Sequence, residues 1–334
     1  MSAPTICFGH RTAFQMLRTT DPAAFAVLRG SACRPPEQAP LVGELERAIE
    51  KLQTAHPGIL VESPAHVLVS SAAGRRPSRA CRAHVCTSQL QGRALLRLGG
   101  GVAVGAAALA LAHAAAQEEG MIALLRLVYE ACGTYQTRLT GVPDAYRVKP
   151  LVSVRAIADF AMRNPSLRGS RRLADVLRYA ADGSASARET QNALVLGMPM
   201  MHGGLGLGIP RMNYEVKASP TARALTGKSS FRCDLCWPEA KLDVEYQSRK
   251  CHEGEEMRIS DSRRTNALLS MGWTVIGITN DELNSVVATD AIAETIRRHL
   301  GKRTPVRVSH YHERKLKLRR QLGLPIGYDD LRCT

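Results

Sequence analysis

Two acidic residues, Asp234 and Glu245, lie on neighbouring strands of a predicted β-hairpin. The strands are expected over residues 230–236 and 241–247, with a turn at 237–240 between them. Because side chains alternate along a strand, Glu245 and Gln247 share one face and the two carboxylates can converge. Carboxylate oxygens suit Mg²⁺ or Mn²⁺, and such an ion can polarise a phosphodiester and lower the pKa of an attacking water. The hairpin therefore predicts a metal site at Asp234 and Glu245, with Gln247 orienting water or phosphate.

Three further residues have types that suit such a site, and each has a plain structural alternative. Glu189 has capping-box spacing from Ser186, so it can cap its helix, approach the site, or do both. Asp261 can simply place negative charge in the first turn of its helix. Arg264 can pair with Asp261 at i+3, or it can contact phosphate.

The same segment allows two competing interpretations. The two acids of the hairpin could instead form an ion pair with Lys241 or Arg232. A zinc site is the other alternative, with ligands Cys233, Cys236, Cys251 and His252. Strand alternation argues against it, because it sends Cys233 and Cys236 to opposite faces. Cys81, His84 and Cys86 form a second, weak zinc pattern.

The elements around the hairpin predict the fold class of the whole chain, an α+β arrangement. Residues 184–300 give the order helix, three strands, helix, strand, helix. Three consecutive strands with short links favour an antiparallel meander, and the fourth strand can join it in a mixed sheet flanked by helices. The other predicted regions are a helical segment at 1–60, a mixed α/β domain at 61–183 and a basic tail at 301–334.

The segment from Arg232 to Gln247, with Asp234 and then Glu245-Tyr246, resembles the PD-(D/E)XK nuclease signature. It is most similar to bacterial proteins with a very-short-patch-repair-like endonuclease domain. Further matching pieces are Glu189-Thr190, His252, Asp261-Ser-Arg-Arg264 and Gly272-Trp273-Thr-Val275. The resemblance covers roughly a third of the chain. It implies a restriction-endonuclease-like fold, with catalytic roles at Glu189, Asp234, Glu245 and Gln247 and supporting roles at His252, Asp261 and Arg264.

The sequence departs from that family at the catalytic strand. Gln247-Ser248 replaces the usual Asp-Gly, although glutamine in this position is tolerated in PD-(D/E)XK enzymes. Residues 63–135 resemble, more faintly, the middle of Abi-type type IV antitoxins, through Pro64-Ala-His66-Val-Leu-Val and Tyr129-Glu130-Ala-Cys-Gly133-Thr-Tyr135. That likeness implies a nucleic-acid-binding, regulatory role and a toxin partner.

The charge of the chain favours a polyanionic partner. The net charge is +15, and residues 296–321 hold ten Lys or Arg against one acid, Glu313. Nucleic acid is the expected partner, although solubility alone also explains a basic surface. In the tail, the predicted phosphate contacts are Lys315, Lys317, Arg319 and Arg320. They could equally form a solvated helical face.

The remaining composition indicates a cytoplasmic protein. The nine cysteines are irregularly spaced, and residues 1–18 lack the apolar core of a secretory signal. The apolar run at 99–116 is rich in Ala and Gly, which predicts a buried helix and not a membrane span. The expected function is a Mg²⁺- or Mn²⁺-dependent phosphodiesterase acting on DNA. The alternative is a non-catalytic nucleic-acid-binding antitoxin or transcriptional regulator on the same scaffold.

Overall fold

The computed structural model describes residues 4–29, 33–76, 78–117, 120–247, 255–302 and 307–327, without the side chains of residues 255–258. The chain divides into two compact units, Met1–Ala180 and Ala181–Thr334. The predicted boundary at residue 184 lies beside this division. Both units combine helices with mixed sheets, which confirms the predicted α+β class.

The first unit is built on a six-stranded sheet in the order β2-β5-β6-β1-β3-β4. Its strands are β1 Ile6–Phe8, β2 Ala26–Val27, β3 Ala65–Val69, β4 Cys81–Val85, β5 Leu95–Gly99 and β6 Val102–Gly105. Strand β1 runs parallel to β6 and antiparallel to β3, and β3 runs parallel to β4. A separate pair of strands is β7 Tyr135–Gln136 and β8 Ala145–Tyr146.

Helices complete the first unit around an alanine-rich centre. They are α1 His10–Thr19, α2 Val42–Ala55, α3 Ala107–Ala116, α4 Met121–Cys132, α5 Val154–Arg163 and α6 Ser170–Val176. Residues 107–115 of α3 are all buried, as predicted for this apolar run. Small residues allow close approach here, because a Cβ at Gly169 would stand 2.0 Å from the carbonyl oxygen of Ala112. Among the described residues, no helix is long and apolar enough to span a bilayer.

The second unit holds a four-stranded sheet in the order β12-β11-β10-β9. Its strands are β9 Arg211–Lys217, β10 Ser230–Trp237, β11 Leu242–Gln247 and β12 Thr274–Thr279. Strands β9, β10 and β11 form the predicted antiparallel meander, and β12 pairs in parallel with β11. This order puts the two strands of the candidate site, β10 and β11, at the centre of the sheet.

The helices of the second unit begin and end at residues with clear local causes. They are α7 Ala187–Gly197, α8 Pro220–Thr226, α9 Glu255–Ser270, α10 Asn280–Asn284, α11 Val286–His299 and α12 Tyr311–Leu322. Helix α8, which the sequence analysis missed, has Ser219 as its N-cap and Gly227 with φ 70° after its last residue. The last helix predicted within residues 184–300 is broken into α10 and α11 at Ser285, which caps α11.

Candidate metal and nucleic-acid site

Glu189 caps helix α7 and also faces the sheet. The Glu189 N–H donates to Ser186 Oγ at 3.1 Å, so the predicted cap is present. Its carboxylate accepts hydrogen bonds from the Ala185 N–H at 2.9 Å and from the Ser186 hydroxyl at 3.1 Å. Asn213 of β9 adds a third bond at 2.7 Å, which ties the helix to the sheet. Burial raises the pKa of Glu189, and these three donors oppose that shift.

Asp234 on β10 carries a half-buried carboxyl whose pKa is raised by burial and by neighbouring acids. Its Oδ2 accepts a hydrogen bond from the Tyr246 N–H at 3.0 Å. Burial is the first cause that raises its pKa to about 7, and the charges of Glu245 and Glu189 add to it. The three predicted acids therefore lie within electrostatic reach of one another. A carboxyl that titrates near neutrality among other carboxylates is typical of a functional site.

Glu245 on β11 is paired with Arg264 of α9. The Nη2 of Arg264 lies 2.5 Å from Glu245 Oε1, and each side chain is 19% exposed. The same nitrogen donates to the Arg232 carbonyl at 2.6 Å. Arg264 therefore pairs across the fold and not with Asp261, which is exposed on the same helix. The hairpin ion pair with Lys241 is also absent, since Lys241 Nζ donates to the Met271 carbonyl at 3.1 Å.

Asp243 is an acidic residue that the sequence analysis did not assign to the site. It is fully buried, and among the described residues neither carboxylate oxygen has a hydrogen-bond partner. Arg264 Nη2 lies 3.8 Å from Asp243 Oδ2. Burial and the neighbouring Glu245 raise the pKa of Asp243 far above its usual range, which favours the protonated form of this acid. Its signal in the sequence was its position on the polar face of a buried strand.

One group of ligand atoms in the second unit has spacing suited to a metal ion. Oxygen or sulfur atoms of Cys233, Asp243 and Glu245 all lie within 4.8 Å of one another. Asp234 is not a member of this group. Metal binding by Asp234 and Glu245 together therefore stays a prediction from the sequence. Because the group includes a thiol, its donor set favours softer metals than oxygen ligands alone would.

The two cysteines of the C-x-x-C sequence lie on the same side of the sheet, contrary to the prediction from strand alternation. Cys233 and Cys236 both belong to one core cluster with Ala267 and Leu268 of α9. The β9–β10 register omits the pair between Asn213 and the residue opposite it, and Asn213 has φ 48°. The register is the same on both sides of this missing pair, so the ladder carries no inserted residue, and the positive φ of Asn213 is the local irregularity. The other two proposed zinc ligands, Cys251 and His252, lie outside the described residues.

Gln247 lies at the end of strand β11, whereas His252 is not among the described residues. Gln247 is exposed at the end of β11 and packs over Gly277 of β12. A Cβ on Gly277 would stand 3.0 Å from Gln247 Nε2, so the glycine makes room for this side chain. His252, predicted as a supporting residue, falls outside the described residues.

The four basic residues predicted to bind phosphate lie on helix α12 in different environments. Lys317 and Arg320 are exposed. Lys315 is paired with Asp290 at 2.5 Å. Arg319 is 1% exposed, and its guanidinium donates to the carbonyls of three residues, Leu283, Asn284 and Pro325. Arg319 therefore stabilises the fold of this unit, and the side chains open to phosphate are Lys317 and Arg320.

Comparison with known proteins gives limited similarity. Two uncharacterised proteins from two strains of Mycobacterium tuberculosis are each 28% identical to the chain over 128 residues. Each alignment covers 38% of this chain and 42% of the relative, so the chain spans less than half the length of the curated relatives that it matches. No protein-family model matches the chain. No solved structure matches it either.

Proposed function

We propose that the second unit is a divalent-metal-dependent phosphodiesterase that acts on DNA. The observation that carries this proposal is the Asp234 carboxyl, whose pKa is raised to about 7 by burial and by Glu245 and Glu189. Carboxylates that repel one another inside a protein are stabilised by taking up a proton or by a nearby cation, and a bound metal ion would supply that cation. The β-meander with a parallel fourth strand, flanked by helices, is consistent with the nuclease-like fold implied by the sequence resemblance.

The ion proposed for the two acids of the hairpin is Mg²⁺ or Mn²⁺. Asp234 and Glu245 would hold it, because hard cations take carboxylate oxygens as ligands. Such an ion, when bound, polarises the phosphodiester and lowers the pKa of a water molecule. Binding of an ion to Glu245 competes with the Arg264 ion pair, since both cations use the same carboxylate.

The remaining residues would position the substrate. Gln247 is exposed two residues after Glu245 on strand β11. Its amide can orient a water or a phosphate oxygen. Lys317 and Arg320 would neutralise backbone phosphates, which gives affinity that depends on salt and not on base sequence. Glu189 keeps α7 in place against β9 through Asn213.

A second candidate function is non-catalytic binding of nucleic acid, as in an antitoxin or transcriptional regulator with a toxin as protein partner. Two observations favour it. Arg264 already neutralises Glu245, and the uncharged Gln247 cannot serve as an acid or base. Under this function the chain binds DNA but does not cleave it with any metal.

Cleavage of labelled duplex DNA, single-stranded DNA and RNA with Mg²⁺ or Mn²⁺ distinguishes these functions. The phosphodiesterase is expected to cleave DNA, and Glu245→Gln is expected to lower the rate by about a hundredfold or more, since it removes a metal ligand. Glu294→Gln is the matched control, because Glu294 is 55% exposed and pairs only with Arg297 among the ion pairs described. DNA binding without cleavage by the wild type would favour the regulator.

We also propose that the protein works in a reducing compartment, the cytoplasm. The seven cysteines within the described ranges are free. Disulfides form and persist in oxidising compartments, so buried free thiols are consistent with a cytoplasmic protein.

A further inference from the structure

Four histidines that are far apart in the sequence meet inside the first unit. His10 begins α1, His66 lies on β3, His84 lies on β4 and His113 lies in the last turn of α3. His10 and His113 are buried, and His66 and His84 are half-buried. The group is therefore held by two helices and by two strands of the sheet in the first unit.

The imidazole rings form one continuous stack. Ring centroids lie 3.6 Å apart between His10 and His84 and 4.6 Å apart between His10 and His113. His84 Nε2 and His66 Nδ1 are 3.0 Å apart. One ring nitrogen from each of His10, His66 and His84 lies within 4.8 Å of the other two. Tetrahedral zinc with nitrogen ligands needs nitrogens about 3.3 Å apart, so binding would require the stacked rings to turn until their nitrogen lone pairs converge.

Backbone contacts fix the elements that carry these rings. The His66 N–H donates to Thr12 Oγ1 at 2.9 Å, and the Gly9 N–H donates to the His66 carbonyl at 2.9 Å. Strand β3 approaches Gly9 so closely that a Cβ there would stand 2.5 Å from Leu68 Cδ2. His10 has φ 51°, a left-handed conformation that is costly for a residue with a side chain. Strained backbone of this kind persists at ligand sites, where the surrounding structure holds it.

One buried ring nitrogen of the group lacks a partner among the described residues. His113 Nδ1 is buried and has no hydrogen-bond partner among the described residues. That buried polar atom leaves the stack without its full set of partners.

The stack opens onto a cavity on one side. The cavity has a volume of about 330 Å³, and its lining includes His10, His84 and His113. Arg75 and Arg168 also line it. A metal bound by the rings would thus keep a coordination position open toward water or an anionic ligand, the arrangement that three protein ligands allow.

We propose that His10, His66 and His84 form a binding site for a divalent transition metal of the zinc class, with an open coordination position facing this cavity. The site is independent of the phosphodiesterase proposed for the second unit. The competing explanation is a metal-free stack held together by the hydrogen bonds between His66 and His84 and between Gln117 and His10.

The test uses the full chain without a polyhistidine tag, stripped of metal and titrated with Zn²⁺ by calorimetry and with Co²⁺ by visible absorption. Wild type is expected to show a Co²⁺ site with the d–d bands of nitrogen coordination, distinct from any Co²⁺ bound through the Cys233 thiolate of the second unit. His66→Gln and His84→Gln should each weaken Zn²⁺ binding by more than about tenfold, because even the loss of residues behind a metal's ligands costs that much. His310→Gln, a 70% exposed histidine outside the first unit, is the matched control.

Two outcomes would overturn the proposal. One is equal Zn²⁺ affinity in the wild type and in folded His84→Gln, and the other is a wild type without Co²⁺ d–d bands. X-ray absorption of the Zn²⁺-loaded wild type guards against variants that fail to fold, since it must show imidazole scattering from about three ligands near 2.0 Å. Asp234→Asn should leave the Co²⁺ bands unchanged, which separates this site from the acidic one.

Discussion

The guanidinium of Arg264 lies 2.5 Å from the carboxylate of Glu245, and this ion pair joins helix α9 to strand β11. Both side chains are largely buried beside the fully buried Asp243. The negative charge of Glu245, which a metal cation would also use, is therefore already balanced by the positive charge of Arg264. Metal binding and the Arg264 ion pair are alternative ways to neutralise the same acid.

Arg264→Gln is expected to lower the free energy of unfolding by about 1–3 kcal/mol, because it leaves the Glu245 charge without its partner. Urea unfolding measures this loss, and Arg264→Gln combined with Glu245→Gln should recover part of it. Arg223→Gln, at an exposed position on α8, is the matched control and should change stability by less than about 0.5 kcal/mol. Equal losses of stability in Arg264→Gln and Arg223→Gln would show that the ion pair contributes nothing.

Asp234 should make stability fall as the pH rises through neutrality. Its folded-state pKa, about 7, lies above the value of about 3.9 in an unfolded chain. The folded protein thus binds the proton more tightly, and this contribution is fully present below about pH 4 and is lost as the pH passes 7. We expect the difference in the free energy of unfolding between Asp234→Asn and the wild type to favour the variant more at pH 8.5 than at pH 5. A difference between the two proteins that does not change with pH would contradict the raised pKa.

Arg319→Ala is expected to destabilise the second unit by about 3 kcal/mol, because three carbonyls lose a charged donor within the core. Arg319→Lys should restore little of this, since an ammonium cannot reproduce the fork of the guanidinium. Arg320→Ala, one residue along the same helix and exposed, is the control and should be almost neutral. Thermal unfolding distinguishes the variants, and similar melting temperatures for all three would refute the structural role of Arg319.

The double variant Lys317→Ala/Arg320→Ala should weaken DNA binding equally for unrelated sequences. Two lost phosphate contacts should reduce the slope of log affinity against log salt by about 2. Fluorescence anisotropy at several salt concentrations measures this slope. Arg47→Ala/Lys51→Ala, two exposed basic residues of α2, is the matched control. An unchanged slope in the α12 variant would exclude that helix from the interface.

Local patterns were enough to predict most of the second unit. Alternation and capping placed the strands of the hairpin and the start of α7 at Ser186, and the short links predicted the meander. These features depend on neighbours in the sequence, which is why periodicity reports them. The tight turn also explains why Glu245 contributes to the raised pKa of Asp234, while their joint metal ligation stays a prediction.

Contacts between distant segments could not be predicted in this way. The partner of Arg264 is a strand residue and not Asp261, because helix packing, and not helical spacing, decides which acid it reaches. The side chains of Cys233 and Cys236 share a face next to a missing ladder pair at Asn213, which has φ 48°. No turn residue in the sequence marks this position. The histidine stack joins residues 10, 66, 84 and 113, whose sequence separations carry no metal-site pattern.

The most direct measurement compares DNA binding and DNA cleavage by the wild type and Asp234→Asn in the same preparations, with Mn²⁺ and without it. Loss of one carboxylate removes a metal ligand but also relieves charge repulsion toward phosphate, so binding should be kept or strengthened. The proposed phosphodiesterase predicts Mn²⁺-dependent cleavage by the wild type and a loss of about a hundredfold or more in the variant. Equal cleavage by both proteins, or DNA binding without any cleavage by the wild type, would contradict it.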